Sequence, residues 1–572
     1  MSRFAQLLDE LKPAPDGRRW LFVPPDQLSG RIGPLSREDP GELGIILVES
    51  RWKAARRPYH RQKLALVLAN LRHFALEQAE RGLAVRHVVA QGPLSTALEP
   101  LARELGPIRV MRPAERELRA DLAPLFKAGG LEEIPHEGWL TTCDDFEGSQ
   151  RGGPPWRMDA FYRRVRKRTG LLMEDGRPEG GKISFDAENR RPWPGSPEAP
   201  EPPRFEPDEV TLEVAELIEQ SFADHPGDLD LANLPASRED AHTLWDWARR
   251  ECLPHFGPFE DAMSHRSTGL FHTRISALLN LHRLLPSRVI DDVVRMDIPL
   301  ASKEGFIRQV LGWREFVRHV HEATDGFRQL PDGPPSVADR PGDGGWSRWA
   351  GRPWSRIDTP HDPDGGAAPD HLGADRHVPR AFWGQNSGLA CLDRVVADVW
   401  REGWSHHITR LMVLSNLATL LGVSPRELAD WFWVAYTDAF DWVVEPNVLG
   451  MGTFSTGPLM TTKPYVSGAA YINRMSDYCD DCAFDPTADC PITSLYWAFL
   501  DRHREDLAAI PRMRVVISAL AKRGKDRLAS DRAVLRWVRE TLDTGEPLGP
   551  ANRPDREGRE ESSPWVRRPL SD

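Results

Sequence analysis

Within the first 146 residues, short apolar runs alternate with stretches of helical periodicity, and that alternation leaves few folds open. The runs are Trp20–Val23, Ile45–Val48, Val85–Ala90, Ile108–Met111 and Leu131–Ile134, each the length of a buried strand. Between the second and third, Leu64, Val67, Leu68, Leu71, Ala75 and Ala79 recur at helical spacing over His60–Gly82, with Gly82 as the stop. A second helix is predicted over Ser95–Leu105, closed by Gly106. Strand–helix–strand order at this spacing predicts an α/β domain built on a doubly wound parallel sheet. Such a sheet takes ligands at the carboxyl ends of its strands, which makes the loop Pro24–Ser29 a candidate binding edge. The loop carries no G-x-G-x-x-G, so a dinucleotide is not expected there.

Residues 147–237 read as an interdomain connector, with Gly-Gly at 152–153 and 180–181 and a proline-rich stretch from Pro192 to Pro207. One strongly basic helix, Met158–Arg168, interrupts it. Residues 238–545 read as a large all-α domain, with helices predicted over Ala241–Cys252, Arg274–Leu284, Lys303–His321, Leu389–Leu421 and Pro425–Phe440. The Gly-, Pro- and Asp-rich segment 324–379 reads as a surface insertion, and 546–572 as a polar, disordered tail.

No apolar run reaches the ~18–20 residues that a membrane helix needs, and Met1–Pro15 has no secretory pattern. A cytoplasmic monomer is the default expectation. The net charge of −11 argues against a broad basic footprint for nucleic acid. Arg163–Arg168 and Lys522–Lys525 remain local candidates for phosphate contacts, or are simply solvated charged faces. Tryptophan is unusual at 20 residues, roughly two to three times its ordinary share. Core packing accounts for most of them, and an indole can also carry an electron.

Six cysteines in 572 residues do not make a disulfide framework, and Cys143 and Cys252 stand alone. Cys479-Asp-Asp-Cys482 can present two thiolates to one centre, with Cys490 after seven residues and Cys391 at a predicted helix start. By spacing alone the quartet could hold zinc, hold an iron–sulfur cluster, form a redox pair, or bind nothing. His406 and His407 are adjacent on a predicted helix and point ~100° apart, so one can face a pocket while the other packs. Imidazole can donate a proton near neutral pH, which makes the pair a candidate for acid catalysis as well as for structure. Arg410 precedes Asp438 by 28 residues, and Asp438–Asn447 gathers acidic and amide groups between two helical runs. His272–Ser276 suits a phosphate at a helix start or an ordinary N-cap.

Together these segments resemble the photolyase/cryptochrome family, in its bacterial iron–sulfur branch. The strings that carry the likeness are His60-Arg-Gln-Lys63 with Leu71-Arg-His-Phe74, Gly180–Arg190, Gly312-Trp-Arg-Glu-Phe316, Ser405–Met412, Asn447–Gly452, and Lys463-Pro-Tyr-Val with Tyr471–Cys479. They cover nearly the whole chain in family order. The resemblance implies an N-terminal antenna domain, a helical FAD domain, and light-driven repair of pyrimidine lesions in UV-damaged DNA, most directly (6-4) photoproducts. A cryptochrome-type blue-light photoreceptor with the same cofactors is the alternative it leaves open. It also implies a [4Fe–4S] cluster on Cys391, Cys479, Cys482 and Cys490. Thr273, Ile275 and Ser276 would hold the FAD phosphates, and Arg410 and Asp438 would pair beside the isoalloxazine. Trp313 and Asn447 would lie near flavin or lesion. His406 and His407 match the histidines used on (6-4) lesions, and Trp383 and Trp431 match the electron relay. Phe432 and Phe440 stand where some relatives carry tyrosine. The implied antenna is a ribityl-lumazine (6,7-dimethyl-8-ribityllumazine), with Gln27, Glu49 and His60 as its expected pocket.

Overall fold

The computed structural model of the chain describes residues 2–11, 17–331, 333–339, 342–354 and 365–554. Five strands form one parallel sheet: β1 (Arg19–Phe22), β2 (Leu43–Ser50), β3 (Ala84–Ala90), β4 (Ile108–Met111) and β5 (Leu131–Ile134). Their order across the sheet is β3-β2-β1-β4-β5. The chain therefore changes direction across the sheet between β1 and β4, the switch point at which such a sheet opens a crevice. β2 is apolar on both faces because both are covered. Its Ile45 and Leu47 pack with Phe4 and Phe74, while Ile46 and Val48 pack with Leu98 and Leu122.

Helix Arg61–Glu80 joins the two halves of the molecule. Phe74, Ala75 and Ala79 lie against the sheet, whereas Leu64, Leu66 and Leu68 belong to the core of the helical part. Being covered on all sides, it buries polar residues as well, and each finds a partner. Lys63 Nζ donates to the Trp433 and Ala439 carbonyls, both at 2.7 Å, and Asn70 Nδ2 donates to Pro235 O at 2.9 Å.

The helical part departs from the predicted elements where the backbone turns. The helix expected over Arg274–Leu284 is a single stretch, Ser276–Asn280, because Arg274 sits at φ 58° and breaks the run before it. The helix expected over Leu389–Leu421 ends at Glu402, where Gly403 takes φ 63°, and resumes around Thr409. The 147–237 connector carries, besides Met158–Thr169, a second helix Glu209–Ser221 whose Val210 and Val214 are buried. Segment 324–379 is not a surface excursion throughout. Trp346 and Trp354 are buried in the main core, and the Gly344 carbonyl accepts from Trp383 Nε1 at 2.7 Å. Its residues 332, 340–341 and 355–364 lie outside the described residues. The start of the expected tail is also ordered into the body: Leu548 is buried and Arg553 donates to Asp489 O and Ser494 Oγ. Residues 555–572 lie outside the described residues.

Several long helices widen by one residue per turn over a short stretch, at Arg308–Arg314, Thr409–Ser415 and Pro446–Gly452. Such wide turns are uncommon and gather at functional sites. Each of these three carries a candidate site residue: Trp313, Arg410 and Asn447 respectively.

Candidate active site and cysteine centre

The helix breaks at Gly403 and resumes from His407, and the resumed stretch carries Arg410 onto Asp438. Arg410 Nη1 and Nη2 donate to the two Asp438 carboxylate oxygens, each at 3.0 Å, a bidentate pair that the 28-residue separation could not reveal. Ser276 Oγ donates to the same carboxylate at 2.6 Å, and Asn280 Nδ2 to the Asp438 carbonyl at 2.8 Å. Burial alone would raise the Asp438 carboxyl, but Arg410 and Ser276 outweigh it and hold the group below its ordinary value. Arg410 also lies over the Tyr436 ring at 4.0 Å, and the Tyr436 hydroxyl shares a 2.9 Å hydrogen bond with Ser405 Oγ. Tyr436 is a residue the sequence analysis did not single out. Its one available signal is its place two residues before Asp438.

The two histidines take different roles. His406 is buried and stacks on His272 with ring centroids 4.3 Å apart and planes 18° apart. His407 is partly exposed and lies 5.3 Å from His272 at a steep angle. All three are held neutral. Burial, then the charge of neighbouring groups, lowers His272 to about 3 and His407 to about 4, with His406 well below its ordinary value. Arg410 is among the groups that depress both His406 and His407, so the pair belongs to the Arg410–Asp438 neighbourhood. Their ligand atoms lie within 4.8 Å of one another. The stacked rings of His272 and His406 nevertheless send their in-plane lone pairs side by side, not to a common point, which suits a polar ligand better than a metal ion. His272 Nε2 and His406 Nδ1 are buried with no hydrogen-bond partner among the described residues, an unmet demand that a bound polar molecule would satisfy.

The remaining implied flavin residues make contacts of their own. Thr273 is buried and Ile275 precedes the Ser276 turn, while the Ser276 hydroxyl is committed as a donor to Asp438. Asn447 Nδ2 donates to Val443 O at 2.7 Å, and Trp313 packs edge-on to Phe316. Trp431 is fully buried, 6.1 Å from Tyr436, and Trp383 lies further out against Trp400.

A group of basic side chains is linked to His407 through Asp186, which acts on that imidazole and pairs with Arg190. Arg308 also acts on the charge state of His407. Lys463 is held below its ordinary value by partial burial, then by Arg512 and Arg190, and Arg157 is lowered by partial burial and by Arg512. Lys463, Arg512, Arg190 and Arg157 thus crowd one another, with Arg190 partly neutralised by Asp186. They come from four separate segments, and no local charge run marks them. The runs that are visible in the sequence are partly structural: Arg166 is buried against the Leu171, Leu172 and Ile183 carbonyls, and Arg523 pairs with Asp531.

Cys391, Cys479, Cys482 and Cys490 line one apolar pocket together with Leu389, Ile472 and Phe484. Cys391 opens helix Ala390–Glu402, and Cys490 caps helix Pro491–Arg502. The short Cys482–Cys490 interval is closed by Asp485, whose carboxylate accepts from Thr487 N at 2.7 Å while its carbonyl accepts from Cys490 N at 2.9 Å. That turn returns Cys490 to Cys482. Burial and the charge of neighbouring thiols push Cys391 well up, Cys479 to about 11 and Cys490 to about 12, so thiolates at these positions call for a positively charged partner.

The three residues expected around an antenna fall into separate networks. Glu49 is bound by Arg72 at 2.9 and 3.1 Å, and His60 stacks on Trp400 while its ring nitrogens meet Gln62 N and Trp400 O. Gln27 spans the β1/β4 switch point, donating to Met111 O at 2.9 Å. Beside it Asp26 is buried and pushed up to about 7, first by burial and then by Glu115. Asp26 Oδ1, Gln27 Oε1 and His282 Nε2 have no hydrogen-bond partner among the described residues. Asp26 and His282 escaped the sequence analysis, although Asp26 stands in the loop it had marked.

The chain is similar over most of its length to known proteins. A family model described as "Deoxyribodipyrimidine photo-lyase-related protein" matches residues 21–234. The chain is 31% identical over 524 residues to the (6-4) photolyase of Agrobacterium fabrum, covering 88% of this chain and 95% of that protein. It belongs to the photolyase family. Solved structures similar to it include a bacterial class III photolyase from Agrobacterium tumefaciens, at 15% identity and a TM-score of 0.46 over 91% of this chain and 93% of that one. A Synechocystis cryptochrome matches at 15% identity and a TM-score of 0.49 over 76% and 82%. Among the described residues, no helix is long and apolar enough to cross a membrane.

Proposed function

We propose that this chain is a light-driven, FAD-dependent DNA photolyase that acts on (6-4) pyrimidine lesions. The observation that carries the reading is the convergence of the Arg410–Asp438 pair, the unpartnered imidazole nitrogens and the partly exposed His407 in a chain 31% identical to a (6-4) photolyase. The buried pair and orphaned nitrogens fit a polar, ring-shaped cofactor, with Arg410, Asp438, Ser276 and Asn447 as its holders. Bound FAD supplies the light-excited electron. The chain's own residues do the rest. Arg157, Lys463 and Arg512 meet phosphates and position the strand, and a damaged base costs less to flip out of the stack. His407 enters the reaction neutral at pH 7. It donates a hydrogen bond at once, and when negative charge reaches the lesion its proton affinity rises, so it can hold and return a proton at the migrating hydroxyl. His406, locked against His272, fixes the orientation of the segment.

A [4Fe–4S] cluster on the four cysteines is part of this reading. Among the described residues, no three cysteine sulfurs fall within 4.8 Å of one another. The four cysteines lining one apolar pocket support a single centre that takes all four as ligands. An antenna chromophore of the ribityl-lumazine kind is assigned to the β1/β4 crevice, supported by the unpartnered atoms of Asp26, Gln27 and His282. Glu49 and His60 would shape that region from behind.

The test is repair of defined oligonucleotides. Purified protein under blue light should restore a (6-4) substrate and leave a cyclobutane dimer unchanged. Flavin-loaded protein that leaves (6-4) DNA unchanged, and binds it no better than intact DNA, would refute the assignment in favour of a photoreceptor.

A further inference from the structure

Lys63 is a buried cation on the helix that joins the two halves of the molecule, and its hydrogen bonds go to main-chain carbonyls. Nζ donates to Trp433 O and to Ala439 O, each at 2.7 Å. Trp433 lies in the last turn of helix Pro425–Ala435, and Ala439 directly follows Asp438. One ammonium group therefore ties together both ends of the Trp433–Ala439 segment, whose middle carries Tyr436 and Asp438. The same end of the helix fastens the segment again, through His60 N to Val434 O at 2.9 Å. Two further bonds hold it from elsewhere: Thr437 N donates to Gly403 O at 2.8 Å, and Asn280 Nδ2 to Asp438 O at 2.8 Å. The Tyr59 ring lies 4.7 Å from the Lys63 ammonium. A lysine suits this point, because three donors on one compact atom can meet two carbonyls and a ring face.

We infer that Lys63 is a positioning residue of the flavin site: it staples the Trp433–Ala439 segment so that Asp438 meets Arg410, and its ammonium supplies positive charge to that site. The inference rests on the flavin reading above. Trp433 and Ala439 are both buried, so without Lys63 their carbonyls lose a donor that water does not replace. The charge reaches the site as well. Lys63 adds to Arg410 and Ser276 in holding the Asp438 carboxyl below its ordinary value. Several groups face the ammonium in turn. Burial, then Lys53 and Arg57, lower Lys63, while Glu115 and Asp438 raise it, and the outcome is about 7. The charge is therefore present at pH 6 and mostly gone at pH 8.5, although a neutral amine still donates both hydrogen bonds. Stability and ligand binding then respond with opposite sign. The folded value lies below the unfolded one of ~10.4. Between the two, the folded chain binds fewer protons than the unfolded chain, so its stability rises with pH. Flavin bearing phosphates is drawn by the positive charge, so its affinity falls over the same range. A purely structural lysine would move both quantities in the same direction.

The experiment measures FAD affinity by equilibrium dialysis, and the urea midpoint, at about pH 6 and about pH 8.5. It compares full-length wild type, Lys63→Met and Lys63→Arg. At the lower pH, Lys63→Met should bind FAD about tenfold or more weakly than wild type, the worth of one hydrogen bond to a charged group. At the higher pH that gap should narrow, while wild type gains stability relative to Lys63→Met. In Lys63→Arg the charge is permanent, so both pH responses should disappear. The comparison of wild type with Lys63→Arg stands by itself if Lys63→Met does not fold. FAD affinity in Lys63→Met equal to that of wild type overturns the inference alone. So does a wild-type affinity with the same pH course as Lys63→Arg. A wild-type protein that holds no flavin overturns the functional reading and the inference together.

Discussion

Removing the Asp438 carboxylate should be among the most damaging single changes to this protein. In Asp438→Ala the Arg410 guanidinium loses both of its 3.0 Å carboxylate bonds and keeps only Ser405 O at 2.8 Å, while Ser276 Oγ loses its acceptor. Asp438 is 4% exposed, so water cannot replace the lost charge freely. An unpaired charge left in such a place costs about 3–5 kcal/mol of stability. Removing both partners should cost less, because Arg410→Met with Asp438→Ala leaves no orphaned charge and gives up mainly the packing on Tyr436. The assay is urea unfolding followed by tryptophan fluorescence, with flavin content measured alongside. The pH dependence has a defined sign. The folded Asp438 value lies below the unfolded one of ~3.9. Its stabilisation is therefore complete above about pH 4–5 and is lost as pH falls through the folded value, so wild type and Asp438→Asn should converge in acid. An Asp438→Ala cost under about 1 kcal/mol at pH 7, or a double variant weaker than the single one, would refute the argument that the pair is a desolvated unit.

Four further outcomes follow from the same geometry. His407→Ala should lose (6-4) repair with a stability change within about 0.5 kcal/mol, while His406→Ala, which removes a buried stacked ring, should lower stability by about 1–3 kcal/mol; thermal melts and a repair assay separate the two. Cys490→Ser should remove the broad visible absorbance of an iron–sulfur centre and its iron content, and should loosen helix Pro491–Arg502 enough to lower the melting temperature. Lys463→Ala or Arg512→Ala should weaken binding to damaged and intact DNA alike and reduce the salt slope of the affinity by about one unit each, as a phosphate contact requires. Gln27→Leu should abolish the antenna absorbance while flavin content stays at the wild-type level, since the Gln27 amide bonds to Met111 O at the end of β4.

The elements that were readable in the sequence are those whose signal is local. All five strands were, because each is a short segment with apolar residues at its ends or throughout, and β2 reads as continuous apolar chain since Ile45 and Ile46 face covered sides of the sheet. Helix Arg61–Glu80 was readable for the same reason. What escaped is what depends on breaks and returns. Arg274 at φ 58° and Gly403 at φ 63° interrupt otherwise helical patterns, and those two interruptions put Ser276 and Arg410 on the same carboxylate. Helical periodicity rewards continuity, so it runs straight through Gly403 and starts the other helix at Arg274, two residues before Ser276. The wide turns hide in the same way, because one extra residue in a turn leaves the apolar period almost unchanged while rotating every later side chain on the helix. Trp313, Arg410 and Asn447 each sit in such a turn, so the direction in which each side chain leaves its helix is a property of helix phase that composition cannot record. The scattered basic group is the electrostatic counterpart. Arg157, Lys463 and Arg512 never adjoin in sequence, and in a chain of net charge −11 they carry no ion pair among the described residues, because the fold spends its acidic residues on other cations, such as Glu49 on Arg72, Asp531 on Arg523 and Asp186 on Arg190. Net charge therefore bears on this protein's solubility, whereas its affinity for a phosphate backbone is decided by which cations the fold leaves without a carboxylate.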